Sequence, residues 1–288
     1  MILREPCLPG GWYPREKAKI GEFLKDFVDF PDSAGILPVF AAIAPHAGWY
    51  YSGVPAAMAV SSLNRKAETV AVIGGHLPGG MPLLAAGEEG VKTPLGTMEI
   101  DRELREEFKK QAAGLNSVQA DRYQDNTVEV LLPMVHYFFP SAKLLWLRFP
   151  AELSSFEAGK ALAESGRSLG RKLAVLGSTD LTHYGANYGY SPKGRGKPAL
   201  EWVKNVNDAA FINAVLEGTP SGDPSQVLSR AEEDRSACSA GAVLGAMGFA
   251  AAQGNTKARL LDYRTSADLS DDEAPDSFVG YAAMAFGD

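Results

Sequence analysis

Cysteine is nearly absent. The 288-residue chain has two, Cys7 and Cys238, too few and too far apart for a disulfide framework, so both thiols are expected to be reduced. A reduced thiol is then core filler, a metal ligand or a nucleophile. Long apolar runs are missing too. The most apolar stretch, AVLGAMGFAAA, is well short of the roughly 20 residues that span a bilayer, and the opening MILREPCLPGGWYP lacks the unbroken apolar core of a secretory signal. These features predict no membrane association and a cytoplasmic location. Positive charge is in deficit: 28 Lys and Arg against 35 Asp and Glu give a formal net charge of -7, and the basic residues are scattered, so nucleic acid is not an expected partner. No repeat, low-complexity segment or linker interrupts the sequence. At 45% hydrophobic composition, residues 1–288 are read as one domain with a substantial core.

Short apolar runs alternate with amphipathic segments. PVFAAIAPH, ETVAVIGGH, AKLLWLRFP and KLAVLGSTD read as buried strands, with helices predicted over YSGVPAAMAVSSLN, DRELREEFKKQAA and SSFEAGKALAESGRSLG between them. Residues 14 to 30 place Ile20, Phe23, Leu24, Phe27 and Val28 on one helical face behind Pro14. Further helices are expected over EWVKNVNDAAFINAVLEG and SACSAGAVLGAMGFAAAQG, and closing strands over ARLLDYRTS and SFVGYAAMAF. The alternation predicts an α/β layered sheet.

Histidine is scarce as well, with four in the chain, yet three follow predicted strands: His46 after FAAIAP, His76 after VAVIGG, His183 after LAVLGSTDLT. Ligands of open α/β sheets bind beyond such strand ends. Imidazoles combined with one anionic ligand form common mononuclear metal sites, and Asp180, Glu129 and Cys238 are the candidate anions. Each has a plainer reading. His46 could cap a tight turn in PHAG, and His76 could be an exposed loop residue. Asp180, three residues before His183, could share an ion with it, orient its ring or cap a turn. Cys238 would lie near the start of a helix capped by Asp234 or Ser236, where the helix dipole favours thiolate, or would simply be a small buried residue. Asn126 and Glu129 have capping-box spacing, so Glu129 is expected to be structural, its carboxylate near the amide of Asn126 or bordering the pocket without touching a metal. His136, mid-helix in PMVHYFFP, is left out of the site.

The blocks REPCLPGGWYP, IAPHAGWYYSGVPAA, VIGGH, KTPLG, NTVEVLLP, GSTDLTHYG, SACSAGAVLG, LDYRTSAD and VGYAAMAF, in this order, cover nearly the whole chain. Together they resemble the MEMO family, whose members resemble class III extradiol dioxygenases of the LigB type. The resemblance implies a single three-layer αβα domain with a mixed, largely parallel central sheet and a pocket metal. It also implies the ligands: the histidine of PHAG, a histidine after the second strand and the cysteine opening the late helix, here His46, His76 and Cys238. Asp180 and His183 match the family's SD-x-x-H element, which lies beside the metal and in the dioxygenases supplies an acid or base histidine. Two departures stand out. The family usually has GPSHH where this chain has GGHLPGG, and histidine where it has Asn126. His76 is therefore expected to sit a residue or two from the family's ligand position, with one pocket imidazole missing. The dioxygenases hold iron with two histidines and a glutamate; a cysteine in place of that carboxylate makes a softer site, and ring cleavage is not expected.

The leading expectation is a metal-binding redox protein in which His46, His76 and Cys238 hold Fe(II) or Cu, with Zn also compatible, Asp180 assists and His183 moves a proton. The alternative is a non-catalytic module that holds a small molecule or peptide in a pocket lined by Trp49, Tyr50, Tyr51 and Tyr184. A third reading is a metal-free hydrolase with Cys238 as nucleophile, His183 as base and Asp180 as orienter. Family association in gene sets suggests a radical SAM protein as partner.

Overall fold

The computed structural model describes residues 1–33, 39–217, 223–254, 257–270 and 275–287. Its strands are β1 (Leu3–Arg4), β2 (Ala41–Ala44), β3 (Thr69–Leu77), β4 (Leu83–Ala85), β5 (Gly90–Thr93), β6 (Gly96–Glu99), β7 (Val118–Ala120), β8 (Lys143–Pro150), β9 (Leu173–Ser178), β10 (His183–Gly185), β11 (Ala258–Thr265) and β12 (Ser277–Phe286). The helices are α1 (Lys17–Leu24), α2 (Phe30–Ser33), α3 (Trp49–Ser62), α4 (Arg102–Ala112), α5 (Asn126–Glu129), α6 (Leu132–Phe138), α7 (Ser154–Ser168), α8 (Lys197–Trp202), α9 (Asp208–Glu217), α10 (Pro224–Glu233) and α11 (Ala240–Ala252). A π-helical stretch, Val203–Asn207, joins α8 to α9.

The main sheet runs β10-β12-β2-β9-β3-β8-β4-β7, with β11 pairing on β12. It is mixed: β2, β9, β3 and β8 are mutually parallel, whereas β12 joins β2, and β4 joins β8, antiparallel. β1, β5 and β6 form a separate small sheet. Along β3, Val70 and Val72 pack on one face of the main sheet with α1, α3 and α6, while Ala71 and Ile73 pack on the other with α4, α7, α9 and α11. That period-two division explains the continuous apolar runs: both faces of the parallel strands are covered by helices. The α/β layering expected from sequence is thus the fold. Helices α7 and α11 cross at Gly159, where an added Cβ would lie 2.0 Å from the Gly245 carbonyl oxygen.

The segment read as one helix over residues 14 to 30 departs from that reading. The first helix starts at Lys17 after Glu16, not at Pro14, and gives way to a 3-10 turn at Lys25–Phe27. Ile20 and Leu24 are fully buried, but Val28 lies beyond the turn and is 47% exposed, because the change of helix type rotates it off the apolar stripe.

Candidate metal centre

Strands β2, β3 and β9 run parallel and end at one edge of the sheet, where His46 follows β2, His76 lies in the last residues of β3, and Cys238 comes in from the segment between α10 and α11. One ligating atom of each lies within 4.8 Å of the others. His46 follows β2 and is buried; its Nε2 is 3.2 Å from Cys238 Sγ. The His46 and His76 rings meet edge to face, with centroids 4.9 Å apart. His76 adopts a φ of 56°, a left-handed conformation uncommon for a residue with a side chain. Gly75 before it passes so close to Ser239 that an added Cβ would lie 2.4 Å from the serine Cβ.

The remaining ring nitrogens are occupied. His46 Nδ1 is 2.8 Å from Ser178 Oγ, and His76 Nδ1 is 3.0 Å from Asp125 Oδ2, leaving Nε2 of each ring for an ion. Such outer partners set the tautomer and orientation of metal-binding histidines. In the chain without an ion, burial alone would raise the Cys238 thiol, but the facing His46 and His76 rings hold it well below its ordinary range. Burial likewise opposes charging His46 and His76, yet Asp180 and Cys238 raise His46, and Asp125 and Cys238 raise His76 to about 10. The three donors therefore favour positive charge between them, which protons or a cation can supply. Metal bonds of about 2.0 to 2.3 Å place adjacent tetrahedral donors roughly 3.3 to 3.8 Å apart, close to the cysteine–His46 spacing. The donor chemistry fits an ion that accepts imidazole and thiolate.

A cavity of about 720 Å³ opens over His46 and His76, and Asp180 and His183 also line it. Asp180 does not bond to His183. Its Oδ1 accepts from the His46 amide at 2.7 Å, and Oδ2 lies 4.0 Å from His46 Nε2. Burial pushes the Asp180 carboxyl up despite His46. His183 Nδ1 is 3.0 Å from the Leu181 carbonyl oxygen and the ring meets Tyr188 edge to face.

Several local expectations are corrected. Cys238 precedes a helix whose N-cap is Ser239; Asp234 instead ends α10, and Ser236 donates to the Arg230 carbonyl. The cap of α5 is Asp125, accepting from the Thr127 amide, so no capping box joins Asn126 to Glu129. Glu129 accepts from Cys7 N at 2.7 Å, Cys7 Sγ at 2.8 Å, Leu8 N at 3.1 Å and Tyr13 Oη at 2.8 Å, anchoring the N-terminal segment. Asn126 Nδ2 donates to the His46 carbonyl. Tyr50 and Tyr51 line the cavity, but Trp49 is buried against Phe23 and Tyr184 stacks on Phe278 in the core. Strand alternation explains Tyr184, since its neighbour His183 takes the cavity side. Trp12, Tyr188 and Tyr281 line the cavity unforeseen; they lie outside the strand-end segments that pointed to the site. His136 bonds to Thr93 and does not line this cavity.

A layered α/β sheet that gathers two imidazoles and a cysteine sulfur at the carboxyl edge of its parallel strands defines a class of protein with a three-donor pocket. The family model described as Memo-like protein matches residues 4–285, and the chain belongs to that family. A MEMO1 family protein of Pyrococcus abyssi is 30% identical over 98% of this chain and 99% of its own length. One from Archaeoglobus fulgidus is 29% identical over 99% of each. The crystal structure of an uncharacterized Escherichia coli K12 protein is similar over 78% of this chain and 88% of its own, with a TM-score of 0.45 and 13% identity, too distant to carry an inference.

Proposed function

We propose that the chain is a metal-binding protein in which His46, His76 and Cys238 hold Fe(II) or copper beside a cavity that admits a small molecule or peptide segment, and that the centre is redox-active. The observation that carries this reading is the approach of three ligand atoms to within 4.8 Å from three separate parts of the chain. Thiolate softness favours copper or iron over hard cations, and zinc is a further fit to the same donors. A bound ion of this kind would supply Lewis-acid or one-electron chemistry. The chain's own residues would do the rest. Asp180 holds the His46 backbone, while His183, with Nδ1 committed to a carbonyl, presents Nε2 as proton donor or acceptor. Tyr50, Tyr51 and Tyr188 would contact the ligand at the cavity wall.

The exposed faces of Tyr50 and Tyr51, 70% and 46% exposed, also support the reading as a binding module without chemistry. For a metal-free hydrolase, the pairing of Cys238 with His46 makes His46 the candidate base in place of His183. Metal analysis of untagged protein purified without added metal separates these readings. About one iron or copper per chain is expected; absence of stoichiometric metal after reconstitution would overturn the metal reading, and selective labelling of Cys238 over Cys7 by a cysteine-directed electrophile would then favour the hydrolase, its absence the binding module.

A further inference from the structure

Strand β8 carries a cation among apolar residues: Arg148, only 3% exposed. Buried ion pairs contribute little net stability, because desolvation offsets their attraction, so this guanidinium calls for another explanation. Its bonds converge on His76. Strands β3 and β8 keep parallel register from Thr69 opposite Lys143 to Gly74 opposite Arg148, and then slip: Leu77 pairs with Pro150. The extra residue of this bulge falls at Gly75–His76, where φ of His76 is 56°. Bulges re-aim side chains, and this one carries the His76 ring beside His46.

Arg148 lies across from the bulge. Nε and Nη2 donate to the Gly75 carbonyl oxygen at 3.0 and 2.9 Å. Nη2 is also 3.2 Å from Asp125 Oδ2, the oxygen that lies 3.0 Å from His76 Nδ1. Nη1 is 3.5 Å from Asp121 Oδ1, and Asp121 Oδ2 accepts from Trp146 Nε1 at 2.9 Å, which fixes the guanidinium from behind. One planar group thus grips both the backbone before His76 and the carboxylate that orients its ring.

We propose that Arg148 is a positioning residue for the metal centre, holding His76 in its ligating pose through the Gly75 carbonyl and Asp125. The proposal rests on the ligand role of His76 given above. Lysine cannot replace Arg148, since a single ammonium lacks the fork that reaches both acceptors.

The test uses full-length protein, Co(II) alone as probe, and the variants Arg148→Met, Arg148→Lys and Asp125→Asn, with circular dichroism confirming the fold. Each variant is expected to weaken Co(II) binding about 10- to 100-fold and to shift the cobalt ligand-field bands. Wild-type affinity and spectrum in folded variants would overturn the proposal. The His76 ring proton signal of the metal-free chain provides a second readout, expected to be single and sharp in wild type and broadened or doubled in the variants. If wild type takes up no Co(II), the metal reading fails separately, and an unchanged His76 signal in the variants would then overturn the positioning role. Should Arg148→Met not fold, Arg148→Lys and Asp125→Asn decide.

Discussion

Asp180 holds both His46 and Cys238: its carboxylate accepts from the His46 amide at 2.7 Å, and its main-chain oxygen accepts from the Cys238 amide at 3.2 Å. Cys238 Sγ and His46 Nε2 thereby come within 3.2 Å although 192 residues separate them. Asp180→Ala should leave the buried His46 amide without its acceptor and cost about 1 to 3 kcal/mol. Chemical denaturation measures this; a loss within a few tenths of wild type would mean the contact is not doing that work.

The two thiols should react very differently. Cys238 is drawn toward thiolate by two imidazoles, whereas burial and its bond to Glu129 push Cys7 up to about 11. Iodoacetamide near pH 7 should therefore alkylate Cys238 of metal-free protein first, read by peptide mass spectrometry, and added Fe(II) or Cu(I) should slow it. Labelling of Cys7 ahead of Cys238 would contradict the electrostatics of the site.

The His76–Asp125 pair gives stability a defined pH window in the metal-free chain. His76 is raised from 6.5 to about 10: burial opposes the charge, but the bond to Asp125 and the facing Cys238 sulfur together outweigh it. Its contribution is complete below the unfolded value and is lost as pH rises through about 10. Asp125 is lowered from 3.8 to about 2, burial being outweighed by His76, Thr127 and Arg148. Its contribution is present above the unfolded value and is lost as pH falls through about 2. The stability difference between wild type and Asp125→Asn should thus be greatest near pH 5 to 6 and shrink by about pH 9 to 10. A difference independent of pH would refute the pairing. Metal affinity should run the other way, strengthening as pH rises, because a ligating imidazole must give up its proton.

Glu129→Gln should destabilise the N-terminal segment. The carboxylate faces four donors, from Cys7, Leu8 and Tyr13, so an amide would turn its own donor toward donors. A loss of about 1 to 3 kcal/mol is expected, with faster proteolysis before residue 14 and unchanged metal stoichiometry. Loss of metal with the fold intact would instead make Glu129 part of the centre.

Much of the layering was legible because both faces of β2, β3, β8 and β9 are covered, which writes unbroken apolar runs into the sequence. The ends of those runs also drew attention to His46 and His76. What supports them was not legible. Ser178 reaches His46 across 132 residues, and Asp125 reaches His76 across 49; neither spacing has a local signature. The capping-box reading of Asn126 and Glu129 failed because Asp125, one residue earlier, adopts the extended cap conformation and Glu129 finds stronger donors in the N-terminal segment. Arg148 was visible only as a cation in an apolar strand, and the bulge it braces is a matter of register between two strands.

The central claim is tested most directly by metal content per chain in untagged wild type and Cys238→Ser, each reconstituted anaerobically with Fe(II) or Cu(I) and desalted. Wild type should retain about one ion, and the variant, folded by circular dichroism, should retain little, since serine keeps the size but removes the soft donor. Equal metal in the two proteins, or none in wild type, would contradict the account.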